Sequence, residues 1–327
     1  SVSSPRLLRA MAEVLGGPKS RLPALKLWTE VHFLRGHARQ LHRDMGEELF
    51  NFRRNLTGQV TMRPEWEYAL FAINDMMGEA VGKLYCKNYF SSASKDKARD
   101  MVHNLMASMH EMITNLSWMG PATKRHALEK LEAMGIKIGY PDKFRDFGKL
   151  DIDPQESYVQ HMIKAKAFEA QRVRALIGKP RDPNEWSMLP HEVNAYYSAS
   201  RNEIVITAAQ LQPPVFSQHS FDAANYGAIG ATIGHEISHA FDDYGRQFDK
   251  DGNMRNWWEP QDEARFKARA QKCVELYDKQ RYGSGHINGK LTLGENLADI
   301  GGVKGAVPAL QKCIQEQGHP VPVPTRL

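Results

Sequence analysis

His235-Glu236-Ile237-Ser238-His239 is the segment of this 327-residue chain whose residue types and spacing most directly suggest chemistry. Residues four apart on an α-helix share a face, so the two imidazoles project toward one point in space. The glutamate that follows the first histidine stands beside that point. Two histidines can hold a zinc ion there, and the carboxylate can act as base on a water next to it. The same residues could also be two solvent-facing histidines on an ordinary core helix, a use that needs no partner elsewhere in the chain.

A partner follows. Thr292-Leu-Gly-Glu295-Asn-Leu-Ala-Asp299-Ile-Gly-Gly302 sets Glu295 and Asp299 four apart, again on one helix face. A catalytic zinc takes three protein ligands and keeps one position open, and Glu295 can be the third ligand. Asp299 can then accept a hydrogen bond from the outer nitrogen of a ligand histidine, fixing its tautomer and raising its basicity. Glu295 also fits a capping box with Thr292 as N-cap. A cap asks for neither Asp299 nor Gly301 and Gly302 inside a helix, where each glycine costs about 1 kcal/mol. Those glycines point to close backbone packing.

The elements that must position these residues are mostly helical. Ile229, Ile233, Ile237 and Phe241 recur every four residues and predict a helix over about 223–244 with that stripe buried and both histidines off it. Gly245 is placed to end it. Residues 1–115 read as helices with apolar spacing, as at Leu7, Leu8, Met11 and Val14 and again from Pro64 to Tyr85. The stripe Met101, Met106, Met109 and Met112 is read as core. Glu203–Thr207 is the strand candidate, short and β-branched. The alternating prolines of Gly318–Leu327 predict an extended tail. The fold class is therefore mainly α with a small β-sheet, divided into a partial helical lobe at 1–115 and a second domain at 116–327.

Composition removes other functions. The net charge of +5 comes from 43 basic and 38 acidic residues, well mixed in sign, with no basic tract to argue for nucleic acid. No apolar run approaches the roughly 20 residues of a membrane span. Cys86, Cys273 and Cys313 lie far apart without a CxxC, so they are read as free thiols rather than a zinc cluster or a disulfide framework. Asp249-Lys-Asp251-Gly-Asn253 lacks the downstream glutamate of a calcium loop and is read as a surface turn.

Taken with Gly294–Gly302, the run His235-Glu-Ile-Ser-His-Ala-Phe-Asp-Asp243 resembles the neprilysin and endothelin-converting-enzyme family of zinc metallopeptidases. Further blocks agree in order: Val193-Asn-Ala-Tyr-Tyr197, Arg201-Asn-Glu-Ile-Val205, Leu211-Gln-Pro-Pro214, and Gly245–Asn253 followed by Trp257 and Trp258. Weaker likeness runs back through Thr114–Met119 and Gly78–Tyr85. The resemblance implies a thermolysin-like catalytic lobe at 116–327, truncated at its C-terminal side, beside part of a helical lobe. It implies one zinc ion held by His235, His239 and Glu295, with Glu236 as general base and proton shuttle and Asp299 orienting His235. Asn194 and Ala195 would hydrogen-bond the substrate backbone from an edge segment. The implied reaction is hydrolysis of internal bonds in short peptides, outside the cytoplasm (secreted, periplasmic or on a membrane-anchored ectodomain).

Members of that family continue past the Glu295 block with a histidine and an arginine credited with transition-state stabilisation and substrate carboxylate binding. Residues 296–327 offer no convincing match; His319 and Arg326 stand in a different context. The expectation is a chain that binds zinc but hydrolyses peptides weakly unless a complementing chain or further segments supply the rest. The competing reading is a catalytically weak or inactive zinc- and peptide-binding fragment of the same fold.

Overall fold

The structure, a computed structural model, describes residues 4–318. The tail expected from Gly318 onward lies outside the described residues beyond that glycine. In chain order the helices are α1 (Pro5–Leu15), α2 (Leu22–Leu41), α3 (Arg43–Thr57), α4 (Glu65–Tyr89), α5 (Ser92–Thr114), α6 (Pro121–Glu132), α7 (Tyr158–Leu176), α8 (Asp222–Asn225), α9 (Ala231–Ser238), α10 (Pro260–Asp278) and α11 (Leu293–Glu316). The strands are β1 (Gly135–Gly139), β2 (Ala195–Ser198), β3 (Glu203–Thr207) and a short ribbon, β4 (Arg281–Tyr282) with β5 (Gly285–His286). The mainly α class with a small sheet is what the sequence predicts. No described helix is long and apolar enough to cross a membrane.

The chain forms two compact units, residues 1–77 with 146–181 and residues 78–145 with 182–327. In the first, α2 packs against α3 and α7. The apolar stripe of α1 is present, but that helix buries none of its residues. Helix α4 is broken at Met77, whose φ of −148° and ψ of 37° are not helical. The second unit holds the predicted chemistry.

Helix α5 stood on the helical-lobe side of the expected division at residue 115. It packs instead within the second unit, against α6, α9 and α11. The physical reason is its buried face: Ala98, Met101, Val102, Leu105 and Met109 join the core that Ile204, Ile206, Ile229, Ile233 and Ile237 also build. Ser108 Oγ adds a bond of 2.9 Å to the Gly305 carbonyl of α11. The methionine stripe is core, as expected.

The sheet has the order β1-β3-β2, with β1 parallel and β2 antiparallel to the central β3. All five residues of β3 are buried, as its β-branched run requires. On the other side β2 is an edge. The register pairs Ala195 with Ile206, and Thr207 N donates to Asn194 O at 3.4 Å. Hydrogen-bonded and non-bonded pairs alternate in an antiparallel ladder, so Ala195 and Tyr197 turn their backbone N–H and C=O groups away from β3, toward the open edge.

The histidine-bearing segment is not one helix over 223–244. It runs as α8, a π-turn at Tyr226–Gly230, α9, and a 3-10 turn at His239–Phe241, and becomes extended at Asp242 (φ −70°, ψ −174°). Ile229, Ile233 and Ile237 are fully buried, as the stripe predicts, whereas its fourth member, Phe241, is only partly buried and lies beyond α9 in the 3-10 turn. Gly245 is not the cap of this helix. It lies in a following 3-10 turn (Gly245–Gln247), packed so closely that a Cβ there would collide with the His239 carbonyl.

Candidate metal centre

Helices α9 and α11 meet backbone to backbone. A Cβ on Gly302 would collide with the Ala231 carbonyl and stand 2.7 Å from His235 N; one on Gly234 would stand 2.8 Å from Gly302 Cα. A Cβ on Gly301 would collide with Ser238 Oγ. Only glycine allows this approach, and the approach carries Glu295 and Asp299, on the preceding turns of α11, up to the histidines of α9.

There His235 Nε2 lies 2.9 Å from His239 Nε2 and 3.2 Å from Glu295 Oε2. His239 Nε2 lies 3.6 Å from the same oxygen. Ligand atoms about 2.0–2.2 Å from a tetrahedral zinc are about 3.3–3.5 Å apart, close to these separations. Behind the rings, His235 Nδ1 donates to Asp299 Oδ1 at 2.7 Å and His239 Nδ1 to Asp242 Oδ2 at 2.6 Å. Carboxylate acceptors require the proton on each Nδ1, which leaves both Nε2 lone pairs turned toward each other and toward a carboxylate. Three converging lone pairs repel unless a cation stands among them. The donor set, two imidazoles and one carboxylate, fits zinc. Among the described residues, this is the cluster of His, Cys, Asp and Glu that could hold a metal ion.

The capping alternative for Glu295 is not formed. Thr292 makes no side-chain cap bond to α11; its Oγ1 donates to Asn288 O at 3.2 Å and accepts from Asn296 Nδ2 at 2.9 Å. Glu295 faces the histidines instead. Asp299→Asn is accordingly expected to lower zinc affinity about 10–100-fold, measured by chelator competition, while Thr292→Ala leaves it unchanged.

Glu236 is buried beside both histidines. Burial pushes its carboxyl above the ordinary range; His239, His235 and a backbone hydrogen bond from Tyr197 oppose the shift. The cleft over these groups has a volume of about 570 Å³ and is lined also by Asn194, Ala195, Tyr197 and Tyr244. Asn194 and Ala195 are thus brought to the metal centre, with Asn194 Oδ1 turned back to accept from Ala195 N at 2.9 Å.

Sequence reasoning missed Asp242. It is buried, orients His239, and accepts from Tyr244 N and Gly245 N at 2.8 and 2.5 Å. The three-residue spacing from His239 was an available signal, masked by the expectation that the helix continued through it.

Two models of peptidase family M13 match the chain, one over residues 1–141 and the other over residues 194–325. The chain is 35% identical over 309 residues to the neutral endopeptidase of Lactobacillus helveticus, covering 94% of this chain and 47% of that protein. It is 39% identical over 278 residues to neprilysin-11 of Caenorhabditis elegans, covering 82% of this chain and 33% of that one. The crystal structure of the Mycobacterium tuberculosis zinc metalloprotease Zmp1 in complex with an inhibitor is similar at a TM-score of 0.81 and 39% identity, over 92% of this chain and 46% of that one. The chain therefore spans about half the length, or less, of these relatives. With both family models matched in order, and the second running through His235, His239 and Glu295, the chain belongs to peptidase family M13.

Proposed function

We propose that this chain carries the metal site of a zinc-dependent endopeptidase that hydrolyses internal bonds of short peptides, with one zinc held by His235, His239 and Glu295. The observation that carries the reading is the convergence of their Nε2, Nε2 and Oε2 atoms within 2.9–3.6 Å, with Glu236 buried beside them. Zinc bound there would supply Lewis acidity, polarising a carbonyl and acidifying water. Glu236 takes a proton from the attacking water on its carboxylate and later hands it to the leaving amine. Asp299 and Asp242 hold the two imidazoles in the Nδ1–H tautomer. A peptide laid along the open edge of β2 pairs with the Ala195 backbone, and Asn194 swings off Ala195 N–H to bond the same peptide. An extended segment lying along an edge has residues on both sides of the scissile bond, which supports internal cleavage.

The test combines elemental analysis with a fluorogenic peptide and mass spectrometry of the products. One zinc per chain is expected, internal cleavage that a chelator abolishes, and recovery on adding back one equivalent of zinc. A chain that binds no zinc, or cleavage indifferent to chelation, overturns the reading.

One observation favours a second reading, a zinc- and peptide-binding chain with little turnover of its own that acts with a complementing chain. The Glu295 and Asp299 side chains are 71% and 68% exposed, and electrostatic stabilisation of a transition state is strongest where water is excluded. Zinc-dependent peptide binding without turnover by the isolated chain would select it.

A further inference from the structure

Lys130, near the end of α6, is 1% exposed. Its Nζ donates to three carbonyls: Ala240 at 2.8 Å, Gly245 at 2.7 Å and Phe248 at 2.7 Å. An ammonium has three N–H donors, and here each has an acceptor. A neutral amine would leave one carbonyl facing a lone pair. Burial pulls this lysine down to about 7, against the pull of Asp242 and Asp249; the three converging carbonyls are the acceptor set of an ammonium. The rings of Phe241, Tyr197 and Trp257 stand 5.8, 5.9 and 5.9 Å from Nζ and close the cage.

The three carbonyls belong to one stretch, residues 240–248, that leaves the histidine helix and turns back. Asp242 lies inside it. Gly245 joins the two ends of the arrangement: its N–H donates to Asp242 Oδ1 while its carbonyl accepts from Lys130. Asp242 in turn accepts from His239 Nδ1. The lysine backbone is itself tied down, since Asn202 Nδ2 donates to Lys130 O at 2.9 Å and Tyr197 OH bonds Asn202 Oδ1 at 3.0 Å.

We infer that Lys130 is a positioning residue of the metal centre: its ammonium clamps the 240–248 turn so that Asp242 meets His239, and it thereby governs how firmly zinc is held. The inference rests on the proposed zinc reading of His239. A compact ammonium suits three acceptors converging on one point, whereas the planar fork of arginine does not.

The test is a double-mutant cycle in the 327-residue chain, read as the rate of zinc release to a chromogenic chelator. Carboxylate partners of ligand histidines typically contribute 10–100-fold in metal affinity. Asp242→Asn is expected to release zinc about 10–100-fold faster, Lys130→Met about 10-fold faster, and the pair no faster than Asp242→Asn alone. Lys130→Arg is expected not to restore the wild-type rate. The cobalt-substituted Lys130→Met protein should show the ligand-field absorption of cobalt-substituted Asp242→Asn. A merely structural lysine would give additive rates and an unshifted spectrum, which overturns the clamp. If circular dichroism shows Lys130→Met unfolded, Lys130→Gln is carried through the same cycle with the same criteria. A wild-type chain that takes up no zinc overturns the functional reading and the clamp with it. A wild-type chain that holds zinc while the lysine variant releases it at the wild-type rate overturns the clamp alone.

Discussion

Glu236→Gln is expected to keep one zinc per chain while peptide turnover falls about 10²–10⁴-fold. The two outcomes separate because the converging atoms that could hold the metal belong to His235, His239 and Glu295, and none belongs to Glu236. Glutamine keeps the shape of a side chain buried on α9 beside the histidines, and its amide oxygen can still accept the Tyr197 backbone bond. It cannot take a proton from water, so the loss falls on kcat, while KM stays near wild type because the β2 edge is untouched. Burial already disfavours the Glu236 carboxylate, so a neutral isostere removes a desolvation cost and the melting temperature is expected not to fall. Elemental analysis, steady-state kinetics at saturating zinc and a thermal melt give the three readings. Turnover that survives the substitution removes Glu236 as the base, and zinc lost along with turnover would make it a structural residue instead.

The parts of this site that could be read in the sequence are those fixed by local spacing. His235 with His239, and Glu295 with Asp299, each need only the pitch of one helix to share a face. Ile229, Ile233 and Ile237 needed no more, and Glu203–Thr207 declared itself by β-branching. What lay hidden was one local bond that competes with helix periodicity, and otherwise contacts distant in sequence. Phe241 keeps the periodicity of the helix, yet the helix has ended, because Asp242 binds the N–H groups of Tyr244 and Gly245 in place of a further turn. The Lys130 ammonium, from a segment about 110 residues earlier, holds the carbonyls of that turn. The spacing of α5 showed that one face was apolar without showing which neighbours covered it, so its place in the second unit was not legible. The same kind of stripe on α1 buries nothing.

Gly302→Val is expected to destabilise the second unit by about 1–3 kcal/mol and to weaken zinc binding at least ~10-fold. The new Cβ would meet the Ala231 carbonyl and His235 N. These are backbone atoms of α9, and unlike the tip of a flexible side chain they have no other rotamer to adopt. Relief therefore requires α11 to retreat from α9. Glu295 lies seven residues before Gly302, two turns along the same face, and Asp299 lies three before it, so a retreat at Gly302 withdraws both carboxylates from His235 and His239. Gly305→Ala, one turn further on, is the matched control. A Cβ there meets nothing within 4 Å, and alanine is favoured over glycine in a helix interior by about 1 kcal/mol, so this variant should be as stable as wild type or more so, with zinc affinity unchanged. Thermal melts and chelator competition on the two variants compare the crossing with the generic effect of a helical glycine. If Gly302→Val lost stability yet held zinc as wild type does, the first two turns of α11 would be keeping their place without the crossing, and the paired glycines would serve packing alone.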